Sequence, residues 1–321
     1  MNEQNIALET ASLGKRFGRK CALRDCSFAL PAGRVTALVG PNGAGKTTLL
    51  QLAAGLLRPT TGDVCIFGRS PFTDPLSTLP RLSFVAQDHP LYRSFSVADL
   101  LTMGRALNPR WDQQTALARL ERLHIPLDTR AGKLSSGQQA QVALTLALSK
   151  RPDLLLLDEP LASLDPLARR DFLRILLDAT IEQGLSVLLS SHIISDLERV
   201  CEHLVILSAS RVQLTGEIDE ILRTHKRLVG PRADPAAVAS LHNVIEASHT
   251  ERQTTLLVRL NGQLFDPSWQ QQDVSLEDIV LAYLGQSRAQ QTATGKDWPS
   301  DSRIGVPAAL SGGADEEEAA R

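Results

Sequence analysis

The stretch Arg34–Leu57, "RVTALVGPNGAGKTTLLQLAAGLL", carries three signals in succession. "RVTALVG" is an apolar run that reads as a buried strand, and "TTLLQLAAGLL" reads as the helix after it. Between them "GPNGAGKTT", Gly40–Thr48, fits G-x-x-x-x-G-K-T in the strand-to-helix setting that this pattern requires. Its glycines let the backbone wrap around phosphates with N–H groups turned inward, and the start of a helix favours negative charge there. Gly40, Pro41, Asn42, Gly43, Ala44 and Gly45 form the expected cradle, closed by Lys46, Thr47 and Thr48. Lys46 is expected to reach the β and γ phosphates and Thr47 to ligate Mg²⁺.

Such a site needs a carboxylate on the magnesium side. "LLLLDEP", Leu154–Pro160, supplies Asp158 and Glu159 where a buried strand ends. Two acids at a strand terminus can simply be solvated. After four leucines, with proline closing the run, they read as aimed at the glycine loop, with Asp158 holding Mg²⁺ through water and Glu159 acting as general base. A second anion seat follows the first. In "KLSSGQQ", Lys133–Gln139, hydroxyls and a glycine precede Val142, Leu144, Leu146, Ala147 and Leu148 at helical spacing, so free backbone donors sit at a helix start.

The rest of the chain fits around these pieces. "DLLLLDE" and "SVLLSSH" are continuous apolar strands suited to a parallel sheet covered on both faces, and "DPLARRDFLRILLDAT" between them is an amphipathic helix. Residues 6–67 read as short β segments, and about 90–150 as a helical insertion that opens on a Ser96 cap with Asp99 three residues on. Beyond about 224 lies a small α/β appendage. There "TTLLVRLNG" alternates like a half-exposed strand, and "SLEDIVLAYLG" puts Leu276, Ile279, Val280, Tyr283 and Leu284 on one helical face behind a Ser275 cap. From about 286 the Gln, Ser, Gly and acidic content predicts a disordered tail. The expected organisation is a nucleotide-binding domain over 1–224, an accessory domain over 225–285 and a tail over 286–321.

Composition narrows the function. A net charge of -2 and no basic stripe argue against nucleic acid as a partner. Cys21, Cys26, Cys65 and Cys201 stand in no disulfide or zinc pattern, and the Cys201/His203 pair lacks a second ligand pair, so packed reduced thiols are expected. "MNEQNIALET" has no signal-peptide character, and no apolar run approaches the roughly 18 residues that span a bilayer. The expected location is cytoplasmic, with any membrane part supplied by another polypeptide.

The order glycine loop, "VAQD", "LSSGQQ", "LLLLDEP", "SLD" and "SSH" resembles the nucleotide-binding subunit of ATP-binding cassette (ABC) transporters over roughly residues 6–222. The resemblance implies an α/β P-loop NTPase fold: a β subdomain, a parallel-sheet RecA-like core and a helical subdomain. It also implies ATP and Mg²⁺ as ligands, and ATP hydrolysis coupled to transport, with the chain on the cytoplasmic face of the membrane against a separate integral-membrane permease. In this family two such subunits, identical or paralogous, pack head to tail, and the signature loop of one closes over the nucleotide of the other. Ser135, Ser136, Gly137 and Gln138 would then serve the neighbour's ATP. By position, Gln87 resembles the glutamine that senses Mg²⁺ and the attacking water, and His192 the switch histidine on the γ phosphate. Asp165 resembles the residue coupling the two sites, and Phe17 the aromatic that stacks on adenine, although a buried core role is the alternative for Phe17.

Ser136 departs from the family's Leu-Ser-Gly-Gly-Gln; serine there is costly if the position needs φ > 0, and otherwise offers an extra hydroxyl. A lone cassette with a short appendage, together with "NPRWD" and "SHIISDLERVCEHLVIL", resembles subunits of drug, antibiotic or lipid exporters, and importer subunits share the same motifs. Trp111 reads as packing or partner contact. The alternative function is a soluble single-cassette ABC ATPase of assembly or repair. A GTPase is excluded by the lack of an Asn-Lys-x-Asp stretch.

Overall fold

A computed structural model describes residues 5–162, 164–232, 242–262 and 268–293. The chain opens with two long antiparallel strands, β1 (Ile6–Phe17) and β2 (Lys20–Pro31), in place of the short segments expected from the sequence. The pairing is interrupted by register shifts, one of them around Ser12, whose φ is +46°. Such bulges break the in–out alternation by which strands are recognised in sequence. β3 (Val35–Val39) is wholly buried and feeds the glycine loop and α1 (Lys46–Ala53). β4 (Thr61–Ile66) then returns to β1, giving a three-stranded sheet in the order β2-β1-β4.

The main sheet has six strands in the order β5-β6-β7-β3-β8-β9. After α2 (Pro75–Thr78) comes β5 (Leu82–Val85), then the helices α3 (Val97–Leu107), α4 (Gln113–Arg122) and α5 (Ser136–Ser149). β6 (Leu154–Leu157), α6 (Pro166–Gln183), β7 (Ser186–Ser191), α7 (Ile194–Leu197), β8 (His203–Ser208) and β9 (Arg211–Glu217) complete the layer. Every residue of β6, β7 and β8 is buried, as befits parallel strands covered on both faces. Only β9, at the edge, runs antiparallel to its neighbour. Leu157 pairs with Leu189 and Val39 with Ser191, so β6, β7 and β3 end side by side at one edge. In open parallel sheets, ligands bind beyond the carboxyl ends of the strands.

The helices between β5 and β6 have a core of their own, in which Leu100 and Leu101 of α3 meet Ala116 and Leu120 of α4 and Val142 of α5. α3 starts as its sequence requires: Ser96 Oγ accepts from Asp99 N (3.1 Å), and Asp99 Oδ2 accepts from Ser96 N (2.9 Å). Trp111 packs its ring over Gly104, where an added Cβ would sit 2.5 Å from it, and donates from Nε1 to Gln113 Oε1 (2.7 Å).

α8 (Ile218–Thr224) runs directly into β10 (His225–Pro231), followed by β11 (Asn243–His249), β12 (Gln253–Arg259), β13 (Gln270–Gln272) and α9 (Leu276–Ala293). These strands form an antiparallel sheet in the order β11-β12-β10-β13. β12 is not half-exposed as its alternation predicts. Leu256 and Val258 pack with Leu228 and Trp269, while Leu257 faces the other way into the core that holds Ile218 and Ile221, so both faces are covered.

Leu276, Ile279, Val280 and Tyr283 of α9 join that same core, and Asp278 N donates to Ser275 Oγ (3.1 Å). Because a backbone carbonyl can only accept, His225 carries its proton on Nδ1 toward Ile221 O (2.8 Å) and accepts on Nε2 from the Tyr283 hydroxyl (2.9 Å). The appendage is therefore continuous with the main core. α9 also continues to Ala293, past the boundary that composition placed at 286; the remainder of the expected tail, 294–321, lies outside the described residues.

Candidate functional site

The glycine loop sits at the edge where β3, β6 and β7 end. Gly45, the residue capping α1, has φ +112°, and an added Cβ would come 2.6 Å from the Ala22 carbonyl oxygen. Gly43, at φ +79°, has open space in front of it. Gly40 and Ala44 lie behind the loop; Ala44 is buried, and an added Cβ on Gly40 would collide with the Leu207 carbonyl. α1 has no side-chain cap and no acid in its first turn, which leaves its N-terminal N–H groups open to an anion.

Lys46 is buried and folds back, donating to Gly40 O (2.7 Å) and Pro41 O (3.4 Å). Its ammonium also lies 3.2 Å from Glu159 Oε1, a contact that is an ion pair and not an aligned hydrogen bond. Glu159 Oε2 meets His192 Nδ1 at 2.8 Å. The backbone of Glu159 adopts φ +47°, a left-handed conformation that costs free energy for a side-chain-bearing residue and persists only where its surroundings enforce it.

Ser190 provides that enforcement. Its hydroxyl accepts from Glu159 N (2.8 Å) and donates to Asp158 Oδ1 (2.8 Å), fixing both acids at the end of β6. The sequence reading missed Ser190. Its signal was present: a hydroxyl at the end of a strand that follows buried leucines must find a partner, and the nearest acids are those of the neighbouring strand.

These groups surround a cleft of about 610 Å³. Phe17, Pro41, Asn42, Thr47 and Thr48 line it with Lys46, as do Gln87, Glu159 and His192. Phe17 is 47% exposed, with the Lys15 ammonium 5.2 Å from its ring centroid, and is not a core residue. Lys20 and Ala22 of β2 also reach the wall. Asp158 stands behind, 1% exposed.

A nucleotide fits this arrangement. A glycine-rich turn with open space in front of Gly43 lines the cleft together with Lys46, Lys20 and the exposed Phe17 ring. Thr47, Gln87 and Asp158 offer only oxygen ligands at their side-chain ends, the donor type Mg²⁺ takes when phosphates complete its shell.

The remaining expected residues lie elsewhere. None of Ser135, Ser136, Gly137 and Gln138 is among the described residues lining the cleft. Ser135 caps α5, accepting from Gln138 N (3.2 Å) while Gln138 Oε1 accepts from Ser135 N (3.0 Å). Ser136 is the first helical residue and does not have positive φ, so serine carries no backbone strain there. An added Cβ on Gly137 would meet nothing nearer than Leu164 at 3.7 Å. Asp165 is exposed and caps α6, accepting from Leu167 N and Ala168 N, both at 3.0 Å.

The ABC transporter family matches residues 23–162. The chain is 26% identical over 296 residues to the ABC transporter ATP-binding protein YtrB of Bacillus subtilis, covering 88% of this chain and 99% of that one. It is 32% identical over 222 residues to the lipopolysaccharide export system ATP-binding protein LptB of Acidithiobacillus ferridurans, covering 67% and 92%. It is also 32% identical over 253 residues to the aliphatic sulfonates import ATP-binding protein SsuB of Escherichia coli O6:H1, covering 78% and 95%. A solved ATP-binding subunit of an ABC transporter superposes with a TM-score of 0.62 at 29% identity, over 68% of this chain and 92% of that one. With glycine loop, paired acids and histidine gathered on one cleft, the chain belongs to the ATP-binding cassette family of ABC transporters, ATPases that bind and hydrolyse ATP with Mg²⁺.

Proposed function

We propose that this chain is the ATP-hydrolysing subunit of an exporter, working as one half of a head-to-tail pair against a separate membrane permease on the cytoplasmic face. The observation that carries the reading is the separation of two anion seats. The α1 start lines the cleft, while the Ser135–Gln138 turn, also a helix start, is not among its described lining residues. A second cassette turned through a two-fold axis brings each turn to the other's cleft, and Asp165 is the residue we assign to coupling the two sites.

Within one site Lys46 neutralises the β and γ phosphates, and Phe17 stacks on the adenine. Glu159 accepts a proton from the attacking water as the water oxygen bonds to the γ phosphorus and the bond to the β–γ bridging oxygen breaks, leaving ADP and phosphate. His192 holds the Glu159 carboxylate through Nδ1 and turns toward the γ phosphate, and Gln87 orients the water. Mg²⁺, when held by Thr47, Gln87 and, through water, Asp158, supplies charge neutralisation at the phosphates.

No helix among the described residues is long and apolar enough to cross a membrane. An apolar groove between the main sheet and the helices α3 and α5 opens beside Gln87, and it is the face we assign to the permease. Tagging the chain in its host and solubilising membranes in mild detergent tests this. A stoichiometric multi-span protein is the expected partner; an exclusively soluble one would overturn the permease assignment. Export further predicts that deleting the gene makes a compound accumulate inside cells, and depletion of a nutrient inside them would reverse the direction.

A further inference from the structure

The turn between β8 and β9 has a backbone that its sequence does not favour. Ser208 pairs with Arg211, and the two residues between them, Ala209 and Ser210, have φ +53° and +62°. A two-residue hairpin turn with both residues left-handed suits asparagine and glycine, and alanine and serine enter it at a cost. Such conformations persist where surrounding contacts over-determine them, and they cluster at functional positions.

The contacts that hold this turn lead to the glycine loop. Arg24 N donates to Ser210 O (2.7 Å), and Ser210 Oγ donates to Cys21 O (3.2 Å), so the turn grips β2 on either side of Ala22 and Leu23. Those two residues are the ones that leave no room for a Cβ on Gly45. The carbonyl of Leu207, immediately before Ser208, leaves none on Gly40. Both ends of the glycine loop therefore rest on backbone tied to this one turn.

The appendage reaches the same turn. Ser208 and Ser287 are buried, with their hydroxyl oxygens 2.5 Å apart. Ser287 Oγ donates to Leu284 O (3.0 Å), so toward Ser208 it is the acceptor and Ser208 supplies the proton. Ser208 O in turn accepts from Gln213 Nε2 (2.9 Å).

We propose that Ser287 is a positioning residue for ATP: through Ser208 and the β8–β9 turn, α9 fixes the separation of Gly40 and Gly45 and so sets the affinity of the glycine loop for phosphates. This rests on the loop being the phosphate seat, and needs neither the permease nor a second cassette. Glu159 is held by Ser190 and His192, outside this chain of contacts, so binding and not hydrolysis is the step that α9 controls.

The test is equilibrium binding of a fluorescent ATP analogue with Mg²⁺, beside steady-state phosphate release and thermal melting, all on the full chain. Ser287→Ala should weaken ATP binding and raise KM about fivefold, the scale of one buried hydrogen bond, with kcat unchanged. Ser208→Ala should give the same loss, and the double variant no further one. Tyr283→Phe removes the hydrogen bond to His225 from the same helix, and should lower Tm while leaving ATP affinity unchanged. Wild-type affinity in Ser287→Ala, additive losses, a matching fall in kcat, or an equal affinity loss in Tyr283→Phe would each overturn the inference. Lys46→Ala separates it from the reading beneath it. Lost binding there beside an unaltered Ser287→Ala would overturn the inference alone, whereas wild-type binding by Lys46→Ala would overturn the phosphate seat as well.

Discussion

Glu159→Gln removes one charge from a buried cluster while preserving its shape. In the wild type, Glu159 Oε1 lies 3.2 Å from the Lys46 ammonium and Oε2 lies 2.8 Å from His192 Nδ1. An amide can still contact His192 through its oxygen, and Ser190 still holds the backbone N–H of residue 159 at 2.8 Å, so the loop should keep its form. What is lost is the proton acceptor. A positioned general base typically contributes ~10² to 10⁴ in rate, or about 3–5 kcal/mol of barrier. Lys46 loses its anionic neighbour at the same time and becomes freer to engage phosphate. The expected result is a kcat for ATP hydrolysis lowered by roughly a thousandfold, with ATP affinity equal to or tighter than wild type. The assay is steady-state phosphate release paired with equilibrium binding of a fluorescent ATP analogue. Turnover within a few-fold of wild type would refute the general-base assignment, and equal losses in binding and turnover would show that the substitution had disrupted the loop.

Phe17→Ala should weaken ATP binding roughly tenfold with little change in kcat, since stacking is worth ~1–3 kcal/mol per base; titration with ATP and with a base-free triphosphate separates the stacking loss from a general one. Ser135→Ala removes the cap of α5, which costs about 1 kcal/mol and should lower Tm by roughly 2 °C, read by differential scanning fluorimetry. Asp112 is held below its ordinary 3.8 chiefly by the Thr115 N–H, and also by the Thr115 hydroxyl and the Arg151 guanidinium. A carboxyl depressed in the folded state contributes stability above its ordinary value and loses that contribution as pH falls through the lower folded value. Tm should therefore decline below about pH 4, and Asp112→Asn should flatten that decline.

Much of the site was legible because phosphate chemistry dictates residue types at fixed spacing. Gly45 must be glycine at φ +112° against the Ala22 carbonyl, and a lysine must follow it; both constraints are local and survive in sequence. Asp158 and Glu159 were legible because acids after four buried leucines have few other uses. Long-range facts were not. Nothing near Leu257 announces that it faces the core of a domain more than thirty residues away in sequence, and the bulges in β1 hide a strand of 12 residues behind broken alternation. The helix past 286 was misread for another reason. Arg288, Ala289, Gln290 and Gln291 are polar or small, which lowers hydropathy, yet all are good helix formers. Ser136 was judged by the glycine it replaces, but its position is an ordinary first helical turn.

The central claim is that two of these chains share each nucleotide. Sedimentation of the Glu159→Gln chain with and without ATP and Mg²⁺ tests it most directly, because blocked hydrolysis should trap the closed pair. The account predicts a shift from the 34.9 kDa monomer to a dimer of about 70 kDa that requires ATP and is lost when Lys46→Ala is added. A chain that binds ATP and stays at 34.9 kDa would contradict it.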